Sequence, residues 1–72
     1  MNTEKLIKMA NQIGDFYEAY PDQSVVEQEI AGHLNKFWNS IMRKSIVTYV
    51  NEHQGQGLHP RVIAAIQRHV HL

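Results

Sequence analysis

The sequence predicts an all-α fold, a small bundle of four short helices. Apolar residues recur at three- and four-residue steps in each long segment, which is the spacing of one helix face. Helix-start patterns separate these segments: a Ser24–Glu27 capping box, the pair Asn39–Ser40, and Pro60. No two segments alternate as paired strands do. Residues 1–72 therefore fit one helical domain, with helices at about 3–20, 24–38, 40–53 and 60–70.

The first predicted helix begins with Thr3 as its N-cap and ends before Pro21. Its apolar residues form one stripe: Leu6, Met9, Ala10, Ile13, Phe16, Tyr17 and Tyr20. Gly14 lies within this helix and costs it about 1 kcal/mol relative to alanine. We therefore expect Gly14 to permit a close approach by another element.

The second and third predicted helices meet at Asn39–Ser40. The second helix is expected to bury a face of Val26, Ile30, His33, Leu34 and Phe37, with Trp38 at its edge and His33 hydrogen-bonded at the margin of the core. The third has a stripe of Met42, Ile46, Tyr49, Val50 and His53. Ile41 and Val47 fall outside that stripe, which predicts apolar surface that the core does not cover.

The fourth predicted helix follows a glycine-containing turn. Gly55 and Gly57 suit a helix C-cap and a turn, because glycine tolerates positive φ. Pro60 fits the first helical position, with His59 as the cap. Leu58 and Ile63 have the spacing of a hydrophobic staple. The face of this helix comprises Val62, Ile66, His69 and Val70.

Composition excludes several classes of protein. Seven Lys and Arg balance seven Asp and Glu, and this zero net charge argues against binding to nucleic acid. The N-terminal residues lack the apolar core of a signal peptide, and no segment has the length of a membrane span. The sequence therefore predicts a cytoplasmic protein without membrane contact.

Motifs for catalysis or metal binding are missing from the sequence. The five His residues are scattered, and no HExxH or paired His–carboxylate pattern occurs. Ser24, Ser40 and Ser45 fit caps or helix surface, and no GxSxG elbow or phosphate-binding glycine pattern is present. We expect no catalytic residue, no metal site and no cofactor in this chain.

The segment from His33 to Lys44 joins aromatic residues to fixed positive charge. Phe37 is expected to be buried, whereas Trp38 fits three roles: core packing, docking of a partner protein, or, least well, stacking on nucleic acid. Trp and Arg are the residue types that dominate interface energetics. The predicted partner-binding residues are Trp38, Ile41, Arg43, Lys44 and Val47.

Four motifs resemble the delta subunit of NAD-dependent formate dehydrogenase. In chain order they are MANQIGDFY at Met9–Tyr17, the Pro21–Asp22 turn, HLNKFW with the following MR at His33–Arg43, and GLHP at Gly57–Pro60. The resemblance covers nearly the whole chain. The chain departs from the family pattern FWxPxM, because Ser40 stands where the proline is usual.

This resemblance implies a small, non-catalytic helical accessory subunit. In the family's cytoplasmic enzymes, larger subunits hold the molybdenum or tungsten cofactor, the iron–sulfur clusters and the flavin. The delta protein is associated with assembly, maturation or stability of the catalytic alpha subunit, which is therefore the expected partner.

Two alternatives remain open from the sequence. The chain could be a self-associating helical protein, such as a homodimer, without an enzyme partner, because small domains without disulfides often gain stability by oligomerising. It could also bind a small molecule or nucleotide between its helices, since such sites need no linear motif.

Overall fold

The computed structural model describes residues 2–72, and it confirms the all-α prediction. The helices are α1 (Thr3–Phe16), α2 (Gln23–Phe37), α3 (Ser40–His53) and α4 (Pro60–His69). Within residues 2–72 there is no strand. The bundle measures 31 × 22 × 18 Å. Helices α2 and α4 pack against each other most extensively, whereas α1 and α2 share a smaller contact.

All four helices contribute to one hydrophobic core. The α2–α3 connection adds Trp38 to it, and the α3–α4 connection adds Leu58. Its buried members are Leu6, Ala10, Val26, Ile30, Ala31, Leu34, Trp38, Ile46, Val50, Leu58, Val62, Ala65 and Ile66. The buried residues of α3 and α4 lie mostly on the apolar stripes that the sequence predicts. In α1 and α2 the buried face is narrower than the apolar stripe, and aromatic side chains remain outside it.

The N-caps of α1 and α2 lie one or two residues before the predicted ones. The Asn2 side chain accepts a hydrogen bond from the Lys5 backbone N–H at 2.8 Å. Asp22 Oδ1 accepts from the Ser24 N–H at 2.9 Å. The predicted Ser24–Glu27 capping box does not form, because Glu27 is buried and its carboxylate faces α4 instead.

Helix α1 ends at Phe16, about one turn earlier than predicted. The Tyr17 N–H donates to Gly14 O, and the Glu18 N–H to Asp15 O. These i to i−3 hydrogen bonds tighten the chain into turns before Pro21, which cannot continue a helix. The shorter helix leaves Tyr17 and Tyr20 on the connection to α2.

At the α2–α3 corner, Asn39 is the N-cap of α3 and Ser40 its first helical residue. Asn39 Oδ1 accepts a hydrogen bond from the Met42 N–H at 2.9 Å. The first helical position is where proline is favoured, because its backbone N–H has no partner within the helix. Ser40 therefore replaces the usual proline at a position where the cap supplied by Asn39 already fixes the helix start.

Three residues with positive φ build the α3–α4 turn. Gln54, rather than a glycine, takes the left-handed conformation at the C-cap of α3, with φ of 56°. Gly55 and Gly57 follow with φ of 70° and 91°, as expected for positive-φ glycines. A Cβ on Gly55 would lie 2.7 Å from Ile63 Cγ1, so the turn packs directly against α4.

At Gly14, α1 lies close against α4, and this contact yields a testable prediction. A Cβ on Gly14 would lie 2.6 Å from Cγ2 of Val62, which is fully buried. We expect Gly14→Ala to gain about 1 kcal/mol of helix propensity and to lose about 1–3 kcal/mol to overpacking. The net result should be a loss of up to about 2 kcal/mol in the free energy of unfolding, measured in urea.

Gly32 provides the matched control. It lies in α2, and a Cβ there would meet no atom within 4 Å. We expect Gly32→Ala to stabilise the protein by about 0.5–1 kcal/mol. Equal stability changes in the two variants would contradict the close packing of α1 on α4.

Candidate protein-docking surface

The adjacent aromatic residues Phe37 and Trp38 differ sharply in burial, and the expectation that Phe37 is buried is wrong. Phe37 is 65% exposed, whereas Trp38 is only 5% exposed and belongs to the core. Helix α2 ends at Phe37, and Trp38 takes extended backbone angles of φ −87° and ψ 135°. Because Trp38 has left the helix, the helical spacing no longer sets its direction, and its side chain packs inward. Of the roles that the sequence left open for Trp38, the structure therefore shows core packing.

Arg43, predicted to orient a partner, instead holds the α2–α3 corner together. Its Nη1 donates to the backbone carbonyls of Asn35 and Trp38, both at 2.8 Å. Both carbonyls belong to the last turn of α2 and its cap, where backbone acceptors lack partners within the helix. Arg43 thus supplies positive charge to the C-terminal end of the α2 dipole.

Ile41 and Lys44 are the predicted docking residues that reach the surface. Ile41 is 75% exposed and Lys44 is also exposed. Both line a shallow hollow of about 430 Å³ between α3 and the start of α1. Val47, by contrast, is half-buried and packs against the core. The predicted docking residues therefore lie in three different places: the core, the α2–α3 corner, and the hollow beside α3.

A larger hollow of about 540 Å³ lies between α1 and α2. We call it the aromatic groove, and its lining residues are Met9, Gln12, Ile13, Phe16, Tyr17, His33 and Trp38. Phe16 at its edge is 75% exposed, and the buried Trp38 also contributes to its wall. Tyr17 and His33 also line a second, adjoining hollow that contains Phe37.

Aromatic rings contact one another around the groove. Tyr17 makes edge-to-face contacts with both Phe16 and Tyr20, each with ring centroids 5.1 Å apart. His33 is exposed, and its ring lies tilted against Phe37 with centroids 4.8 Å apart, instead of lying at the core margin as expected. Such contacts restrict the rings before any partner binds.

Charges are arranged unevenly along these hollows. Among residues 2–72, no Asp, Glu, Lys or Arg lines the aromatic groove, whereas Glu29 and Lys36 line the adjoining hollow. Burial raises the pKa of the Tyr17 phenol, and the neighbouring Glu29 carboxylate raises it further. The Tyr17 hydroxyl is therefore a hydrogen-bond donor, with the Glu29 carboxylate as the acceptor beside it.

The apolar spacing of the sequence predicts core-facing positions for the residues around the groove, which are Phe16, Tyr17, Tyr20, His33 and Phe37. A stripe that faces a partner has the same spacing as one that faces the core. The width of the first predicted stripe was the available sign, because it comprises seven apolar residues and only Leu6 and Ala10 among them are buried.

The remaining polar clusters hold the fold together. Asn11 donates from Nδ2 to Gly57 O and accepts at Oδ1 from the His59 N–H, both at 2.9 Å. His59 Nε2 also lies 2.9 Å from Asp15 Oδ1. The segments MANQIGDFY and GLHP, which are far apart in sequence, are therefore joined directly.

A second asparagine has the same function at the other end of the bundle. Asn35 donates from Nδ2 to His69 O at 3.0 Å and accepts at Oδ1 from the His71 N–H at 2.8 Å. Nearby, the buried Glu27 pairs with Arg68 Nη1 at 3.1 Å. These contacts attach the C-terminal end of α4 to α2.

Two further properties concern the described part of the chain. Across residues 2–72, no three His, Asp or Glu side chains are gathered closely enough to share a metal ion. Over the same residues, each helix is too short or too polar to pass through a membrane.

Comparison with known proteins gives one match. The family model described as NADH-dependant formate dehydrogenase delta subunit FdsD matches residues 5–66, which include all four motifs named above. Neither the curated proteins nor the solved structures gave a match. The matched region covers most of the 72 residues. The chain therefore belongs to the delta-subunit family of NADH-dependent formate dehydrogenases.

Proposed function

We propose that this protein is a non-catalytic accessory subunit that docks on the catalytic alpha subunit of a molybdenum-containing, NAD-dependent formate dehydrogenase in the cytoplasm. Its binding would assist assembly, maturation or stability of that subunit. The observation that carries the proposal is the exposure of large apolar side chains on a chain of this family, with Phe16, Phe37 and Ile41 each at least 65% exposed.

Docking would proceed by burial of apolar surface. Each square ångström of apolar surface removed from water contributes about 25 cal/mol. Ile41 remains a predicted contact from α3, and Lys44 beside it would guide orientation at the rim. Val47 is expected to support this contact from beneath rather than to meet the partner.

The redox groups of the complex would reside in its larger subunits. Iron–sulfur clusters are held mainly by cysteine thiolates, and this sequence contains no Cys. The chain therefore does not have the donor set for a cluster. Its contribution to the enzyme would be to the folding or assembly of the subunits that do.

Co-purification tests the proposed function directly. We expect the tagged chain, expressed with the formate dehydrogenase subunits of the same genome, to retain the alpha subunit on an affinity column. A stoichiometric complex with the mature enzyme would indicate a resident subunit, and recovery only with cofactor-free alpha subunit would indicate an assembly factor. If no subunit co-elutes and formate oxidation is unchanged on deletion of the gene, the proposal is wrong.

Self-association without an enzyme partner is the second candidate. The same exposed aromatic residues favour it, and the zero net charge offers no overall repulsion between copies. Sedimentation of the isolated chain over a range of concentrations distinguishes the states. A monomer throughout would eliminate this candidate.

A further inference from the structure

The aromatic groove, with a volume of about 540 Å³, is larger than the hollow beside α3, and one side of it rests on the core residue Trp38. Phe16, Tyr17 and His33 line it, and Phe37 continues the surface into the adjoining hollow. We infer that the aromatic groove is the docking site for an amphipathic helix of the catalytic subunit. This inference rests on the proposed function and specifies which face of the accessory subunit would carry it.

The lining determines which side chains the occupant would insert. No charged residue in the described chain lines the groove, so a charged side chain placed there would lose its hydration without gaining an ion pair. Its volume of about 540 Å³ lies within the range of small-ligand pockets, roughly 300–1,000 Å³, so it can receive side chains from one face of a helix. Apolar side chains on one face of a helix, three and four residues apart, match this shape and chemistry.

The adjoining hollow gives the bound helix a direction. Glu29 and Lys36 line it, and they are seven residues apart on α2, which corresponds to about 10 Å along the helix axis. A helix along α2 that carried a cation near Glu29 and an anion near Lys36 would complement both charges. In the reversed direction it would meet like charges, so these two residues would select one orientation.

A second copy of this chain is the less suitable occupant. A two-fold symmetric contact places the same surface patch of each copy against itself. Groove would then face groove, and much of the hollow would remain unfilled, whereas well-packed interfaces leave few such voids. A convex helix from a different subunit fills the hollow directly, and the chain belongs to a family of enzyme subunits.

Binding measurements on groove variants test this inference. We would immobilise the catalytic subunit from the same genome and measure the Kd of the accessory chain by biolayer interferometry. Phe16 and Phe37 are mostly exposed, so the double variant Phe16→Gln/Phe37→Gln should remain folded, as checked by circular dichroism. We expect its Kd to rise at least about 30-fold, as for the loss of interface hot spots.

A second variant changes the groove without removing an aromatic group. Gln12 is an exposed lining residue, and Gln12→Glu would introduce a charge into the otherwise uncharged lining. We expect a rise in Kd of at least about tenfold. Val25→Gln is the matched control, because Val25 is 40% exposed on α2 and does not line the groove. Its Kd should stay within about threefold of wild type.

The possible results separate this inference from the proposed function. If wild type binds and both groove variants bind equally well, the groove inference is overturned while the accessory function stands. Loss of binding in Ile41→Gln alone would place the contact at the α3 hollow instead. If wild type does not bind the catalytic subunit, the proposed function fails and the inference fails with it. Groove variants that abolish only a dimer would identify a second copy as the occupant.

Discussion

Trp38→Ala is expected to destabilise the protein by about 3–5 kcal/mol, the range for truncation of a large aromatic residue in a core. Trp38 is 5% exposed and belongs to a core that contains residues of all four helices. Since domains of 72 residues are stable by about 4–11 kcal/mol, this loss would remove at least about a quarter of the total stability. Urea unfolding followed by circular dichroism measures the change.

Phe37→Ala is the natural control because it truncates the adjacent aromatic residue. Phe37 is 65% exposed, so its removal should cost less than about 1 kcal/mol of stability. The sequence alone ranks these two residues in the opposite order for burial. If Phe37→Ala were less stable than Trp38→Ala, the placement of Trp38 in the core and Phe37 on the surface would be wrong.

Arg43→Ala is expected to lower the free energy of unfolding by about 2–4 kcal/mol. Its guanidinium makes two hydrogen bonds, to Asn35 O and Trp38 O at 2.8 Å each. Bonds to a charged group contribute about 1.5–3 kcal/mol apiece, and both carbonyls lie at the partly buried end of α2. The variant should also expose Trp38, which a shift of its fluorescence emission to longer wavelength would report.

Lys44→Ala removes the neighbouring positive charge and serves as the control. Lys44 is exposed on α3, and its loss should change stability by no more than about 0.5 kcal/mol. If Arg43→Ala proved as stable as Lys44→Ala but bound the catalytic subunit weakly, Arg43 would act at the interface as the sequence first predicted. Measurements of stability and of binding therefore distinguish a structural role of Arg43 at the α2–α3 corner from a role in docking.

Some of the family motifs contact one another in the structure, although they are far apart in the sequence. Asn11 and Asp15 in the first motif contact Gly57 and His59 of the last motif. In the same way, Arg43 binds the carbonyls of the HLNKFW segment. These contacts join residues up to 48 positions apart, and no local pattern reveals them.

Helix number, type and approximate position follow from the sequence, because apolar periodicity and helix-start residues are local properties. The 40–53 segment was predicted to the residue, and Pro60 begins α4 as its fixed φ favours. The caps at Asn2 and Asp22 were missed because Thr3 and Ser24 were equally good candidates by composition. The early end of α1 was missed because turns before a proline can begin several residues upstream.

The sequence by itself determined an all-α chain and its membership in the delta-subunit family, since both rest on local spacing and on short motifs. Only the tertiary structure decided which apolar residues form the core and which remain on the surface. Burial depends on which neighbouring helix covers a position, and a helical stripe has the same spacing in both cases. For that reason the sequence does not show that Trp38 lies in the core, whereas Phe16 and Phe37 lie on the surface beside the groove between α1 and α2.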